Sequence, residues 1–168
     1  YINFPDSIRG YLDFALLHGD KECIVFEDER YTYKEVFEKS AQTANALINE
    51  GISKGDKVAI CMQNNPEFIF AYLGIVGIGA VCVPLNSWWV PSEVIYGLEH
   101  SDAKLLFADQ KRMQGLESLK NVKKIVTTGD ENQKDRLSNL GGKGLFSTKI
   151  ENELILRCVL TNLPINGF

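Results

Sequence analysis

Apolar positions recur at helical spacing through the first third of the chain and then give way to continuous runs. Ile8, Tyr11, Leu12, Ala15 and Leu16 share one face of a helix predicted over residues 6–17, which Gly19 closes. Residues 23–27 predict a strand, Asp28-Glu29 a turn, and Arg30-Tyr31-Thr32 a short return strand. Thr32 and Glu35 have the spacing of a capping box, in which each side chain satisfies the other's free backbone N–H. Behind it Val36, Phe37, Ser40, Ala41, Ala44, Leu47 and Ile48 fall on one helical face, and Gly51 stands where that helix should end.

From Lys57 the pattern changes. Residues 57–62 form an unbroken apolar run between Gly55-Asp56 and Asn64-Asn65, the mark of a strand buried on both faces. Asn65-Pro66-Glu67 starts a helix with a capping side chain, a proline in the first turn and a carboxylate at the positive end. Phe68, Ile69, Phe70, Tyr72, Leu73, Ile75 and Val76 make that helix apolar nearly all round, so it should be deeply covered. Strands follow at 80–83, 104–108 and 123–127, with helices at 91–100 and 110–119 between them. Such alternation predicts an α/β fold: an open, mostly parallel sheet with helices on both faces, preceded by a small hairpin. After Gly129 the chain turns polar and then reads Gly141-Gly142-Lys143-Gly144, and a helix is predicted near 148–156.

The 168 residues suffice for one domain with its own core, or for a piece of a larger one. A net charge of −4 leaves no electrostatic footprint for nucleic acid or an anionic membrane. The short group Lys120, Lys123 and Lys124 reads as decoration of a solvated helix end. Cys23, Cys61, Cys82 and Cys158 lack metal-ligand spacing, and Cys61 and Cys82 read as small hydrophobes within strands. His18 and His100 have no neighbouring ligand cluster and read as structural or surface residues. The opening Tyr1-Ile2-Asn3-Phe4-Pro5 does not form a signal peptide, and Gly74, Gly77 and Gly79 break the apolar run from Phe68 to Pro84. A cytoplasmic protein is the resulting expectation.

The ordered set of motifs is more specific than any one of them. It comprises Val25-Phe26-Glu27-Asp28, Tyr31-Thr32-Tyr33-Lys34-Glu35-Val36, Gly55-Asp56-Lys57-Val58-Ala59-Ile60, Asn65-Pro66-Glu67-Phe68 and Ala71-Tyr72-Leu73-Gly74. It then runs through Gly79-Ala80-Val81-Cys82-Val83-Pro84-Leu85-Asn86-Ser87-Trp88-Trp89 to Ser101-Asp102-Ala103-Lys104-Leu105-Leu106-Phe107-Ala108-Asp109. Over residues 6–127, about three quarters of the chain, this set resembles the N-terminal part of adenylate-forming acyl-CoA synthetases, the AMP-dependent synthetase/ligase family. The double Trp after Pro-Leu-Asn is similar to one acyl-CoA synthetase subgroup.

That resemblance implies an enzyme that activates a carboxylic (fatty) acid with ATP and Mg²⁺ to an acyl-adenylate and passes the acyl group to coenzyme A. The chemistry needs a Ser/Thr/Gly-rich loop with a lysine to cradle the triphosphate, an acidic residue on the ribose and a mobile C-terminal domain with its own lysine. Neither such a loop nor a Walker-type motif occurs in these residues, and the resemblance assigns a catalytic role to no position in 6–127. This part is therefore expected to serve as scaffold, inactive alone and without a bound cofactor of its own. Trp88 and Trp89 invite two readings, an acyl-chain or partner surface, or packing on neighbouring helices that anchors their loop; the residues favour the second. Asn86 reads as bonding its own loop backbone.

Residues 128–168 read as a separate, foreign-looking tail behind a unit spanning 1–127. Thr127-Thr128-Gly129-Asp130, Gly141-Gly142-Lys143-Gly144-Leu145-Phe146 and Lys149-Ile150-Glu151-Asn152-Glu153-Leu154 together resemble an internal piece of porphobilinogen deaminase (hydroxymethylbilane synthase), over residues 123–155. The resemblance implies that Lys143 matches a lysine in the anion-binding region near that family's dipyrromethane cofactor. The family's opening Gly-Thr-Arg-Gly-type strand and its His-Ser-x-Lys-Asp-x-Pro run with the catalytic aspartate are missing, so a tetrapyrrole-pathway transferase is the remote reading. Two families joined near residues 123–127 point to a chimaera, a truncation or a frameshift after Leu154. A sheet cut short would leave an open edge and exposed apolar helix faces, so self-association, or a non-catalytic assembly module, is the alternative to a ligase segment.

Overall fold

The computed structural model describes Pro5 and residues 7–126. Helix α1 (Ile8–Ala15) is capped by Ser7 and followed by a 3₁₀ turn (Leu16–His18) that Gly19 ends at φ 53°. Strands β1 (Glu22–Phe26) and β2 (Glu29–Thr32) pair antiparallel as the hairpin. Thr32 Oγ1 accepts from the Glu35 N–H at 3.2 Å and Glu35 Oε2 accepts from the Thr32 N–H at 2.8 Å, which closes the capping box of α2 (Tyr33–Asn49).

Four parallel strands follow: β3 (Lys57–Cys61), β4 (Val81–Pro84), β5 (Leu105–Ala108) and β6 (Lys123–Val126), in the spatial order β4-β3-β5-β6. Their period-two alternation sorts two cores. Val58, Ile60, Leu105 and Phe107 face α2 and α3 (Pro66–Gly77) together with Leu47, Ala71 and Ile75. Ala59, Cys61, Leu106 and Ala108 face α4 (Pro91–Ser101) through Val94 and Leu98, with Leu116 and Leu119 beside them. Three of these four strand residues, Ala59, Cys61 and Ala108, are small, which leaves room for α4 and the 113–119 segment against the sheet.

Helix α3 is sandwiched between α2 and the sheet, which explains its apolar circumference. Gly74 is what permits the approach: a Cβ there would lie 2.7 Å from Thr43 Cβ and 2.9 Å from the Ser40 carbonyl oxygen. The hairpin joins this layer through Tyr31, whose ring meets Phe70 edge-on at 5.2 Å, while the Lys39 ammonium lies 5.6 Å from the Tyr31 ring and 5.7 Å from that of Phe70. Burial pushes the Lys39 amine below the usual lysine range, opposed by the carboxylates of Glu35, Glu67, Glu29 and Glu38.

Two local expectations are corrected. The helix predicted over 110–119 is only α5 (Gln110–Met113): Gln114 leaves the helical path with an extended ψ of 134° and Gly115 completes the turn at φ 81°, while Leu116 and Leu119 still turn inward. The lysines near 120 do not decorate a helix end. Lys123 and Lys124 open β6, where Lys123 pairs with Glu50 and Lys124 Nζ donates to the Leu116 and Leu119 carbonyls at 2.8 and 2.6 Å. The helix predicted at 148–156, Cys158 and Lys143 lie outside the described residues.

Candidate functional site

The direction in which successive strands are added to the sheet reverses between β3 and β5, all four strands staying parallel. From β3 the chain crosses through α3 to β4 on one side; from β4 it passes over β3 through α4 to β5 on the other. Connections on opposite faces diverge at this point, leaving a crevice beyond the carboxyl ends of the strands, where open parallel sheets take their ligands. Three loops meet there: the turn after β3, the loop after β4 and the start of α5.

Gln63-Asn64-Asn65 makes the first. Asn65 Oδ1 accepts from the Phe68 N–H at 3.2 Å, and Pro66 and Glu67 form the first turn of α3, with Glu67 only 1% exposed. The second loop is ordered by Asn86, whose Oδ1 accepts from the Trp88 N–H at 2.9 Å while its carbonyl accepts from the Trp89 N–H at 3.1 Å. This bears out the reading of Asn86 as a backbone-bonding residue. The two tryptophans part company: Trp89 packs on Gly97 of α4, leaving 2.9 Å between its ring and the place a Cβ would occupy. Trp88 is 86% exposed, so the anchoring role read from sequence belongs to Trp89 alone.

Asp109 caps α5 and ties the loops together. Its Oδ1 accepts from the Arg112 N–H at 2.9 Å, and its Oδ2 accepts from the Gln63 N–H at 3.2 Å and from Arg112 Nη1 at 3.1 Å. Arg112 Nε donates to the Ser87 carbonyl at 3.0 Å. Both side chains are more than nine-tenths buried, at 9% and 8% exposed. Phe26, Gln63, Asn64, Asn65, Ser87, Trp88 and Arg112 line a cleft of about 290 Å³ at this end of the sheet.

Four neutral polar side chains, two aromatic rings and one guanidinium make up that lining. Cys61 beneath it has its thiol pushed up to about 11, first by burial and then by the Asp109 charge, with Arg112 opposing; it remains a neutral thiol and no nucleophile at neutral pH. Cys82 is likewise pushed up to about 11 by burial, in keeping with both cysteines being small hydrophobes. Among the described residues no three His, Cys, Asp or Glu side chains gather as a metal site, and no helix is long and apolar enough to cross a membrane. His18 lies against Tyr33 with the rings tilted by 43° and His100 stacks on Tyr96, both away from the cleft's lining. Sequence reading missed Asp109 and Arg112; the D-x-x-R spacing of a helix cap was visible, but its bonds to Gln63 and Ser87 span 46 and 25 residues.

Among curated proteins, the chain is 34% identical over 102 residues to 4-hydroxybutyrate–CoA ligase 2 of Metallosphaera sedula, covering 61% of this chain and 19% of that one. It is 40% identical over 99 residues to crotonobetaine/carnitine–CoA ligase of Escherichia fergusonii, covering 56% and 19%. Among solved structures, a benzoate CoA ligase from Burkholderia xenovorans LB400 superposes with a TM-score of 0.68 at 25% identity, over 74% of this chain and 26% of that one. O-succinylbenzoate coenzyme A synthetase from Bacillus subtilis, in complex with AMP, gives 0.64 at 27% identity, over 69% and 30%. The chain thus spans about a fifth of the length of the curated relatives it matches. The family model described as "AMP-binding enzyme" matches residues 13–151, running past the boundary at 127 read from sequence. With that match over most of its length, on an α/β sheet of the same kind, this chain belongs to the AMP-binding enzyme family.

Proposed function

We propose that the chain is the N-terminal part of an acid–CoA ligase, a protein that makes an acyl-adenylate from a carboxylic acid and ATP and transfers the acyl group to coenzyme A. The family match over residues 13–151 carries this reading. The printed names of relatives support a carboxylic acid as substrate, since 4-hydroxybutyrate, crotonobetaine and benzoate all carry that group.

The described residues do not suit the triphosphate of ATP. Helices α3 and α4 each begin with a proline, which lacks an N–H, and each holds a glutamate in its first turn. Glu93 Oε2 already takes the Val90 N–H at 2.9 Å at the start of α4, and Asn65 Oδ1 takes the Phe68 N–H at 3.2 Å at the start of α3, so side chains of this chain already hold donors that a phosphate would need free. Residues 7–126 therefore act as scaffold and cleft wall, and no step of adenylation is assigned to them.

The test is acid-dependent ATP–pyrophosphate exchange by the 168-residue chain. No exchange is expected, and turnover with any of these acids would overturn the scaffold role. For the family activity, residues 13–126 are exchanged for the matching part of the crotonobetaine/carnitine ligase. A folded chimaera should still release AMP, and a folded but dead one would count against the reading.

The remaining parts of the proposal have separate supports. Self-association is supported by the unburied apolar side chains of α1 (Ile8, Tyr11 and Phe14) and by Leu17 beside them, and a monodisperse monomer by light scattering at high concentration would refute it. Cytoplasmic residence rests on composition and is tested by cell fractionation. The deaminase-like tail, with Lys143 as an anion-binding lysine, rests on the Gly141–Phe146 string; covalently held dipyrromethane, seen as a mass increment, is its test.

A further inference from the structure

We propose that Asp109 and Arg112 form a positioning pair that holds the Ser87–Trp88 loop over the switch-point crevice, an assignment that rests on reading the cleft as the ligand site. The three loops belong to three strands, and the pair reaches all of them. Asp109 extends from β5, takes the Gln63 N–H of the β3 turn on Oδ2, and takes both the backbone N–H and Nη1 of Arg112. Arg112 turns its Nε to the Ser87 carbonyl of the β4 loop. One guanidinium thus bridges a carboxylate on one side of the switch point and a backbone oxygen on the other, and its planar fork fixes both directions at once.

What the pair positions is Trp88. Its neighbour Trp89 is fixed by packing on Gly97, but Trp88 is 86% exposed and has no comparable seat. Its place in the cleft lining is set by its backbone: its own N–H bonded to Asn86, and the preceding carbonyl held by Arg112. Helix capping alone does not account for Asp109. Helix α5 is four residues long, and a cap needs neither the second carboxylate oxygen on Gln63 nor an ion pair buried on both sides.

Two substitutions separate the roles. Asp109→Asn keeps a good cap and removes the charge facing Arg112; Arg112→Lys keeps the charge and removes the Nε donor to Ser87. The chain has two tryptophans, so Trp89→Phe leaves Trp88 as the single reporter for time-resolved fluorescence anisotropy. In this background both variants should raise the nanosecond-mobile fraction of Trp88 by about twofold, the timescale of loop motion. A control, Leu116→Ala, which lowers the melting temperature without touching the pair, should leave that fraction unchanged. Should Trp89→Phe disturb its own packing, ¹⁹F NMR of 5-fluorotryptophan-labelled protein reads the Trp88 linewidth with both indoles present. Unchanged Trp88 mobility in Asp109→Asn and Arg112→Lys overturns the proposal, as does an equal change in the control. Because mobility is read without ligand or turnover, this result stands apart from the exchange assay that tests the ligase reading.

Discussion

Replacing Gly74 by Ala tests the packing of the α2–α3 layer in a direction opposite to helix propensity. Alanine is the better helix former by about 0.8–1.0 kcal/mol, so on an unconstrained helix the change should stabilise. The new methyl would stand 2.7 Å from Thr43 Cβ, 2.8 Å from Thr43 Cγ2 and 2.9 Å from the Ser40 carbonyl oxygen. Carbon contacts are most favourable at about 3.5–4.0 Å, so each is roughly 1 Å too close. A rotamer change could clear the Cγ2 atom, but Cβ and the backbone oxygen move only with α2 itself. Overpacking of this kind costs about 1–3 kcal/mol, with the upper part expected where backbone blocks relief. After subtracting the propensity gain, Gly74→Ala should destabilise by about 1–2 kcal/mol, and the melting temperature should fall by about 2–4 °C per kcal/mol. Gly77 on the same helix supplies the control, since a Cβ there meets nothing within 4 Å. Gly77→Ala should be neutral or stabilising by up to about 1 kcal/mol. Urea unfolding followed by circular dichroism, with m unchanged, measures both. A Gly74→Ala protein as stable as the parent would refute the close-approach argument, and matching losses in the two variants would assign the effect to glycine itself.

Three further outcomes follow from the same structure. Trp89→Ala should cost more than about 1 kcal/mol because it removes the ring seated on Gly97, whereas Trp88→Ala should stay within about 0.5 kcal/mol; thermal melts of the pair decide this. Thr32→Ala removes the acceptor for the Glu35 N–H and should cost about 1 kcal/mol in urea unfolding, with Thr32→Ser restoring most of it. The raised thiols of Cys61 and Cys82 favour the neutral form in the folded state, so the stability they contribute is complete below the ordinary thiol value of 9.0 and is lost as pH rises toward about 11. In a Cys158→Ser background, melts between these pH values should show that loss, Cys61→Ala should reduce it, and Cys23 should be the one described thiol that reacts readily with a disulfide reagent at neutral pH.

The amino-acid sequence by itself determined the order of elements, because each is specified by neighbours within a few residues. The Thr32–Glu35 box, the Asn65-Pro66-Glu67 helix start and the run over 57–62, which forms β3 through Cys61, are local signals, and all appear in place. The ordered motif set was also enough to name the family. The helix expected through Leu119 failed for a local reason too, since the chain turns extended at Gln114 and left-handed at Gly115, a break that apolar spacing alone does not register. Tertiary structure alone decided the sheet order, and with it the switch point, because strand neighbours are chosen by which faces of α3 and α4 find cover. It also separated the two tryptophans, adjacent in sequence and alike in chemistry, by seating one on Gly97 and leaving the other at the cleft. The Asp109–Arg112 pair likewise reaches Ser87 and Gln63 only because parallel strands bring three carboxyl ends side by side. Local patterns state which residues form an element; which distant loops meet at its end depends on how the layers close around a shared core.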